Sequence, residues 1–206
     1  MSIQVQARYT VDDLDHLMSL PEYAERDFEL HNGEIVFMSP NSAIPSLIAT
    51  EFTWFLLTFV KEHDLGYVSG ADGTFMLDPH TIYVPDVAFI SKAKLTAAPT
   101  RYFPTAPDVA VEVLSPTDSV RAAQRKAHRY LKAGTALVWL IYPDEKAADA
   151  CRLAPDGSLS LQPIEADGFF EGGDVLNGFR LSMADLFRNL PPVAAPSQPE
   201  SDSQTP

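Results

Sequence analysis

The chain has 206 residues, 46% of them hydrophobic and 21% charged, which is enough apolar material for one substantial core and predicts a single globular domain. Its formal net charge of -13 speaks against broad, sequence-independent binding along DNA, which depends on lysines and arginines displacing counterions, unless the basic residues gather on one face. The single cysteine, Cys151, excludes an internal disulfide or a cysteine metal cluster, and no unbroken run of about eighteen apolar residues marks a transmembrane span.

The first residues, Met1 to Arg8, lack the basic, apolar and small-residue sections of an export signal, so a cytoplasmic protein without membrane attachment is expected. Thr10, followed by Val11, Asp13, Leu14, Leu17 and Met18, reads as an N-capped amphipathic helix that stops before Pro21. In the segment Phe28 to Met38, Asn32-Gly33 supplies the two positive-φ positions of a tight turn between alternating strands, predicting an N-terminal β-hairpin. From Ser46 to His63 apolar residues recur at helical spacing (Leu47, Ile48, Phe52, Phe55, Leu56, Phe59, Val60), which predicts a central core helix.

Short apolar runs broken by turn residues then predict strands from Tyr67 to Ile90, the last of them running through Tyr83-Val-Pro-Asp-Val-Ala-Phe-Ile90. Asp108 to Leu114 reads as a buried strand. A helix from Ser119 to Ala133, closed by Gly134, and a further apolar strand from Ala136 to Tyr142 follow it, and this strand-helix-strand order predicts a mixed α/β sheet. Cys151 to Leu161 reads as a C-terminal hairpin around Asp156-Gly157, and Ser182 to Leu190 as a short final helix. The domain is thus expected to span residues 1–190, with residues 191–206, rich in proline, serine and acidic residues, as a disordered tail.

Acids inside apolar strands need a reason. A carboxylate flanked by Val111, Val113 and Leu114, as Glu112 is, is costly to desolvate unless paired, protonated or bound to a cation. Strand alternation puts Asp108, Ala110 and Glu112 on one face and Val109, Val111 and Val113 on the other. Two aspartates, Asp86 and Asp108, each follow a proline and precede Val-Ala, so both are candidates to partner Glu112. Two carboxylates and a main-chain carbonyl suit a hard divalent cation, which polarises a phosphate and activates water.

A lysine beside such a cation offsets charge in the transition state. Five of the chain's fifteen lysines and arginines lie in the helix after Glu112: Arg121, Arg125, Lys126, Arg129 and Lys132. All but Lys126 share a stripe roughly 80° wide, with Val120, Ala123, Ala127 and Leu131 opposite. Lys126 sits between the two faces next to Tyr130. From periodicity alone the stripe reads as a solvated face with Lys126 at its edge, and His16, His31, His63, His80 and His128 as structural or solvated.

These residues resemble the Uma-type restriction endonucleases of the PD-(D/E)xK superfamily. The likeness covers about Tyr9 to Phe187 and runs through Phe28-Glu-Leu-His-Asn-Gly-Glu34, Met38-Ser-Pro40, Val84-Pro-Asp-Val-Ala-Phe89, Pro107-Asp-Val-Ala-Val-Glu-Val-Leu-Ser-Pro116, Lys126 with Tyr130 and Gly134, Val138-Trp-Leu-Ile-Tyr-Pro143 and Asp174-Val-Leu-Asn-Gly-Phe-Arg-Leu181. It implies a restriction-endonuclease-like mixed β-sheet flanked by helices. Asp86 and Glu112 would be the ligands of Mg²⁺ or Mn²⁺, joined by the Val113 carbonyl, and Lys126 would stand in for the lysine that the superfamily usually carries two residues after the second acid, where this chain has Leu114. Glu29 matches a further acidic position, and Asp108 becomes the lesser candidate.

The resemblance implies an endonuclease acting on DNA, with a homodimer as the expected assembly. Relatives often carry a histidine after the Met-Ser-Pro segment, whereas this chain reads Asn41-Ser-Ala-Ile-Pro-Ser46. A catalytically impaired protein that binds nucleic acid or a protein partner on the same fold is the alternative reading.

Overall fold

The computed structural model describes residues 8–23, 26–38 and 42–191. Helix α1 (Val11–Met18) begins at a capping box: the Thr10 hydroxyl accepts from the Asp13 N–H while the Asp13 carboxylate accepts from the Thr10 N–H. Strands β1 (Phe28–His31) and β2 (Glu34–Phe37) form the expected hairpin. Asn32 and Gly33 at its turn both take positive φ, 54° and 85°.

Helix α2 (Ala43–Glu62) starts three residues earlier than the apolar spacing predicts, because Pro45 falls in the first turn, where its missing N–H is not needed. Its twenty residues are long and apolar enough to cross a membrane by length and composition. Here Ile48, Phe52, Leu56 and Val60 are fully buried in the main core with Trp139 and Phe170.

The remaining strands are β3 (Gly66–Ser69), β4 (Phe75–Asp78), β5 (Thr81–Tyr83), β6 (Val87–Ser91), β7 (Val109–Val113), β8 (Leu137–Tyr142), β9 (Ala147–Leu153), β10 (Leu159–Ile164), β11 (Phe169–Glu171) and β12 (Arg180–Ser182). A six-stranded sheet runs β10-β9-β8-β7-β6-β3, and a four-stranded sheet runs β2-β1-β5-β4. The larger sheet is mixed. Its one parallel pair, β7 with β8, is joined by the crossover helix α3 (Val120–Lys132), and the other neighbours are antiparallel.

The expected strand from Tyr83 to Ile90 is not one strand. It breaks at Val84-Pro85-Asp86, leaving β5 in the small sheet and β6 in the large one. Pro85 cannot donate to a ladder, so the chain changes sheets there. The C-terminal hairpin is β9 with β10, while the final helix α4 (Met183–Phe187) is shorter than predicted because β12 takes its first expected residue, Ser182.

Alternation along β7 holds. Val109, Val111 and Val113 join the core under α2, whereas Ala110 packs in a second cluster with Ala127, Tyr130 and Leu131 of α3. Glu112 therefore faces α3. Val120, expected on the apolar side of that helix, is 45% exposed, since it lies in the first turn beyond the sheet's cover. The predicted tail falls, apart from Pro191, outside the described residues.

Candidate active site

A cleft of about 1220 Å³ opens between the β1–β2 hairpin with α1 on one side and α3 on the other. Asp86, Glu112, Val113 and Lys126 line it, so four of the five residues singled out from sequence share one cavity. Glu29, the fifth, is buried directly behind Lys126, 2.9 Å from its ammonium.

Each position follows from local structure. Asp86 sits at the break between the sheets, and its Oδ2 accepts the Val113 N–H at 2.7 Å. Because Val113 follows Glu112, this bond ties the two acids to one strand end. Glu112 leaves β7 on the α3 side, where Lys126 lies fourteen residues on along the crossover, its Nζ 2.9 Å from both carboxylate oxygens. The Glu112 Oε1 contact lacks hydrogen-bond geometry, so that oxygen is buried without a hydrogen-bond donor.

Lys126 is a buried ion-pair hub, not the edge of a solvated face. Its side chain is 14% exposed, its amine lies between Glu29 and Glu112, and it sits 5.4 Å from the centre of the Tyr83 ring and 6.0 Å from that of Tyr130. Helical phase placed it between the charged and apolar faces. What the phase did not contain was the pair of acids waiting at the end of its stem. Of the arginine stripe, Arg125 and Arg129 line the cleft, while Lys132 reaches the β9–β10 turn at Gly157.

Two carboxylates contact the one ammonium and a third, Asp86, feels its charge, and their protonation reflects that shortage. Burial would raise Glu29, but the Lys126 charge, the His31 hydrogen bond and the Val84 N–H hold it down at about 2. Burial pushes Glu112 up to about 8; Lys126 opposes the shift and the Asp86 and Glu29 charges reinforce it. Asp86 is raised as well, chiefly by burial, against the Val113 N–H and Lys126. Burial would lower Lys126, yet Glu112 and Glu29 carry it well above the ordinary lysine range. The ionised pair is thus Lys126 with Glu29, and the carboxyls facing the cleft are short of positive charge.

This arrangement fits a hard divalent cation. Asp86 and Glu112 present only oxygen, both stand without full compensation, and Glu112 Oε1 has no hydrogen-bond donor. Among the described residues no three His, Cys, Asp or Glu side chains converge into a ligand cluster. A divalent cation here would find two carboxylates from the protein, with its other positions left to a main-chain carbonyl and water.

Asp108 lies elsewhere. Its carboxylate accepts the Ser91 N–H at 2.7 Å and pairs with Lys94 at 3.2 Å, and Lys94 also donates to the Ala106 and Gly134 carbonyls. This cluster fastens the start of β7 and has no part in the cleft.

One site residue escaped the sequence reading. His31, grouped with the structural histidines, lines the cleft with its Nε2 2.6 Å from Glu29 Oε2 and its ring edge-on to Tyr83 at 4.7 Å. The available signal was its spacing: Glu29 and His31 are two apart on one strand and so share a face. The segment in which relatives carry a histidine, residues 41–46, has none, and its first residue lies outside the described residues.

Residues 13–184 match the family model Uma2, described as putative restriction endonuclease. Among solved structures, a putative nuclease of the DUF820 group from Anabaena variabilis shares the fold with a TM-score of 0.71 at 24% identity, over 85% of this chain and 97% of that one. No curated protein matches the chain.

Proposed function

The chain belongs to the Uma2 family of restriction-endonuclease-like nucleases, and from that premise we propose that it hydrolyses phosphodiester bonds of DNA with the help of Mg²⁺ or Mn²⁺. The observation that carries the proposal is the convergence of Asp86, Glu112 and Lys126 on one cleft floor from three separate elements.

In this reading Asp86 and Glu112, with the Val113 carbonyl, hold the cation, which when bound polarises the phosphate and lowers the pKa of the attacking water. Lys126 keeps its proton and places a fixed positive charge beside the scissile phosphate, where negative charge grows in the transition state. Glu29 anchors that ammonium from behind. Arg125 and Arg129 on the α3 wall contact neighbouring phosphates and set the strand's path along the cleft.

The test is cleavage of plasmid, linear duplex and single-stranded DNA by the purified protein with Mn²⁺ or Mg²⁺, alongside calorimetric titration of the cation. Asp86→Ala is expected to abolish cleavage and cation uptake together. A protein that takes up no cation, and whose cleavage survives that substitution, would sink the proposal. The net charge of -13 favours a second reading, a binding module without turnover. Its signature is a DNA complex that persists in chelator and after Glu112→Ala.

A further inference from the structure

We propose that His31 is a positioning residue that fixes the Lys126 ammonium through Glu29, an inference that rests on the nuclease reading for its kinetic consequence but not for its structural one. The chain of contacts is continuous. His31 Nε2 meets Glu29 Oε2 at 2.6 Å, and Glu29 Oε1 takes the Val84 N–H at 2.7 Å and the Lys126 ammonium at 2.9 Å.

Both oxygens of Glu29 are thereby fixed: one by a main-chain donor, and the other by an imidazole that is itself held against the Tyr83 ring. Removing the imidazole leaves Oε2 of a 6% exposed side chain with no protein donor while opening a path for water, since His31 is 31% exposed on the cleft. The carboxylate then keeps only its Oε1 contacts, to the Val84 N–H and the Lys126 ammonium, and loses the second donor that fixes its plane. Lys126, whose other partners, Glu112 and the Val84 carbonyl at 3.5 Å, line the cleft, then rests on a Glu29 carboxylate held at one oxygen alone. His31 touches neither Asp86 nor Glu112 in the hydrogen-bond and ion-pair network, so its effect passes through Glu29.

His31→Ala and His31→Gln separate this role from a merely structural one, because a glutamine amide N–H reaches about where Nε2 stands and an alanine offers no donor. Crystal structures of both variants are expected to show the Lys126–Glu29 pair retained in the glutamine protein and opened in the alanine protein. Single-turnover cleavage at saturating DNA is expected to fall roughly ten- to hundredfold in the alanine protein, with KM little changed, and to recover to within about threefold in the glutamine protein. An alanine protein that keeps the Lys126–Glu29 contact would overturn the inference. So would a glutamine protein with the contact open. If the parent protein cuts no DNA, the nuclease reading fails while the two crystal structures still decide the role of His31.

Discussion

Asp86 and Asp108 are near-identical in sequence, each preceded by proline and followed by Val-Ala, yet their surroundings give opposite expectations. Asp108→Asn weakens the Lys94 staple and is expected to lower the melting temperature while leaving cleavage within about threefold. Asp86→Asn is expected to remove cleavage while unfolding at nearly the parent temperature, since the amide oxygen still accepts the Val113 N–H.

Glu112 carries a pH signature. An acid whose folded pKa, about 8, exceeds its ordinary 4.5 contributes stability that is complete below pH 4.5 and is lost as pH rises through 8. Glu29, held at about 2, works in the opposite sense: its contribution is complete above pH 4.5 and lost as pH falls toward 2. Urea unfolding of the metal-free protein between pH 5 and pH 8 is therefore expected to show a decline that Glu112→Gln flattens; a decline unchanged in that variant would mean that another group is responsible.

At this scale the sequence pointed to most of the residues that the structure brings together in the candidate site. Glu112 is visible as an acid in a valine run, and the choice of Asp86 over Asp108 came from the family pattern, since local chemistry could not make it. His31 was missed because its role depends on a partner two residues away and on Tyr83, which lies in a strand brought alongside only by the β1–β5 pairing.

Among the elements, the β1–β2 hairpin bears directly on the site because Glu29 and His31 both stand on β1. A Cβ at Gly33 would lie 2.6 Å from the Arg8 Cβ, at a φ of 85° that alanine resists. Gly33→Ala is expected to cost about 1–3 kcal/mol by chemical denaturation. Helix α3 has two outputs. Lys126 serves the floor, and Arg125 and Arg129 serve the wall. Alanine at either arginine is expected to weaken binding across all DNA sequences and to reduce the slope of log K against log salt by about one, measured by fluorescence anisotropy in Ca²⁺.

Periodicity found the four helices of the described residues because each buries one stripe, and turn residues found the β1–β2 and β9–β10 hairpins. It did not find the break at Val84-Pro85-Asp86, where the apolar pattern continues while the hydrogen-bond ladder stops. Nor did it find β11 and β12, three residues each, too short to show alternation.

For the molecule as a whole, the net charge of -13 opposes the approach of a polyanion, while Arg125 and Arg129 of α3 line the cleft that holds Asp86 and Glu112. The long-range field therefore opposes the encounter while the local one favours it. The fold shared with the putative Anabaena nuclease extends over 85% of the chain.

The switch of sheets at Val84-Pro85-Asp86 has a consequence for how such a protein diversifies. Asp86 and Glu112 belong to the large sheet's side of that seam, whereas the hairpin wall, with Glu29, belongs to the small sheet, joined there through β5. Insertions in the hairpin can reshape what the cleft accepts without altering the register of β6 against β7. The seam confines such changes to the β2 edge and the turn, because β1 of the same small sheet carries Glu29 and His31 behind Lys126.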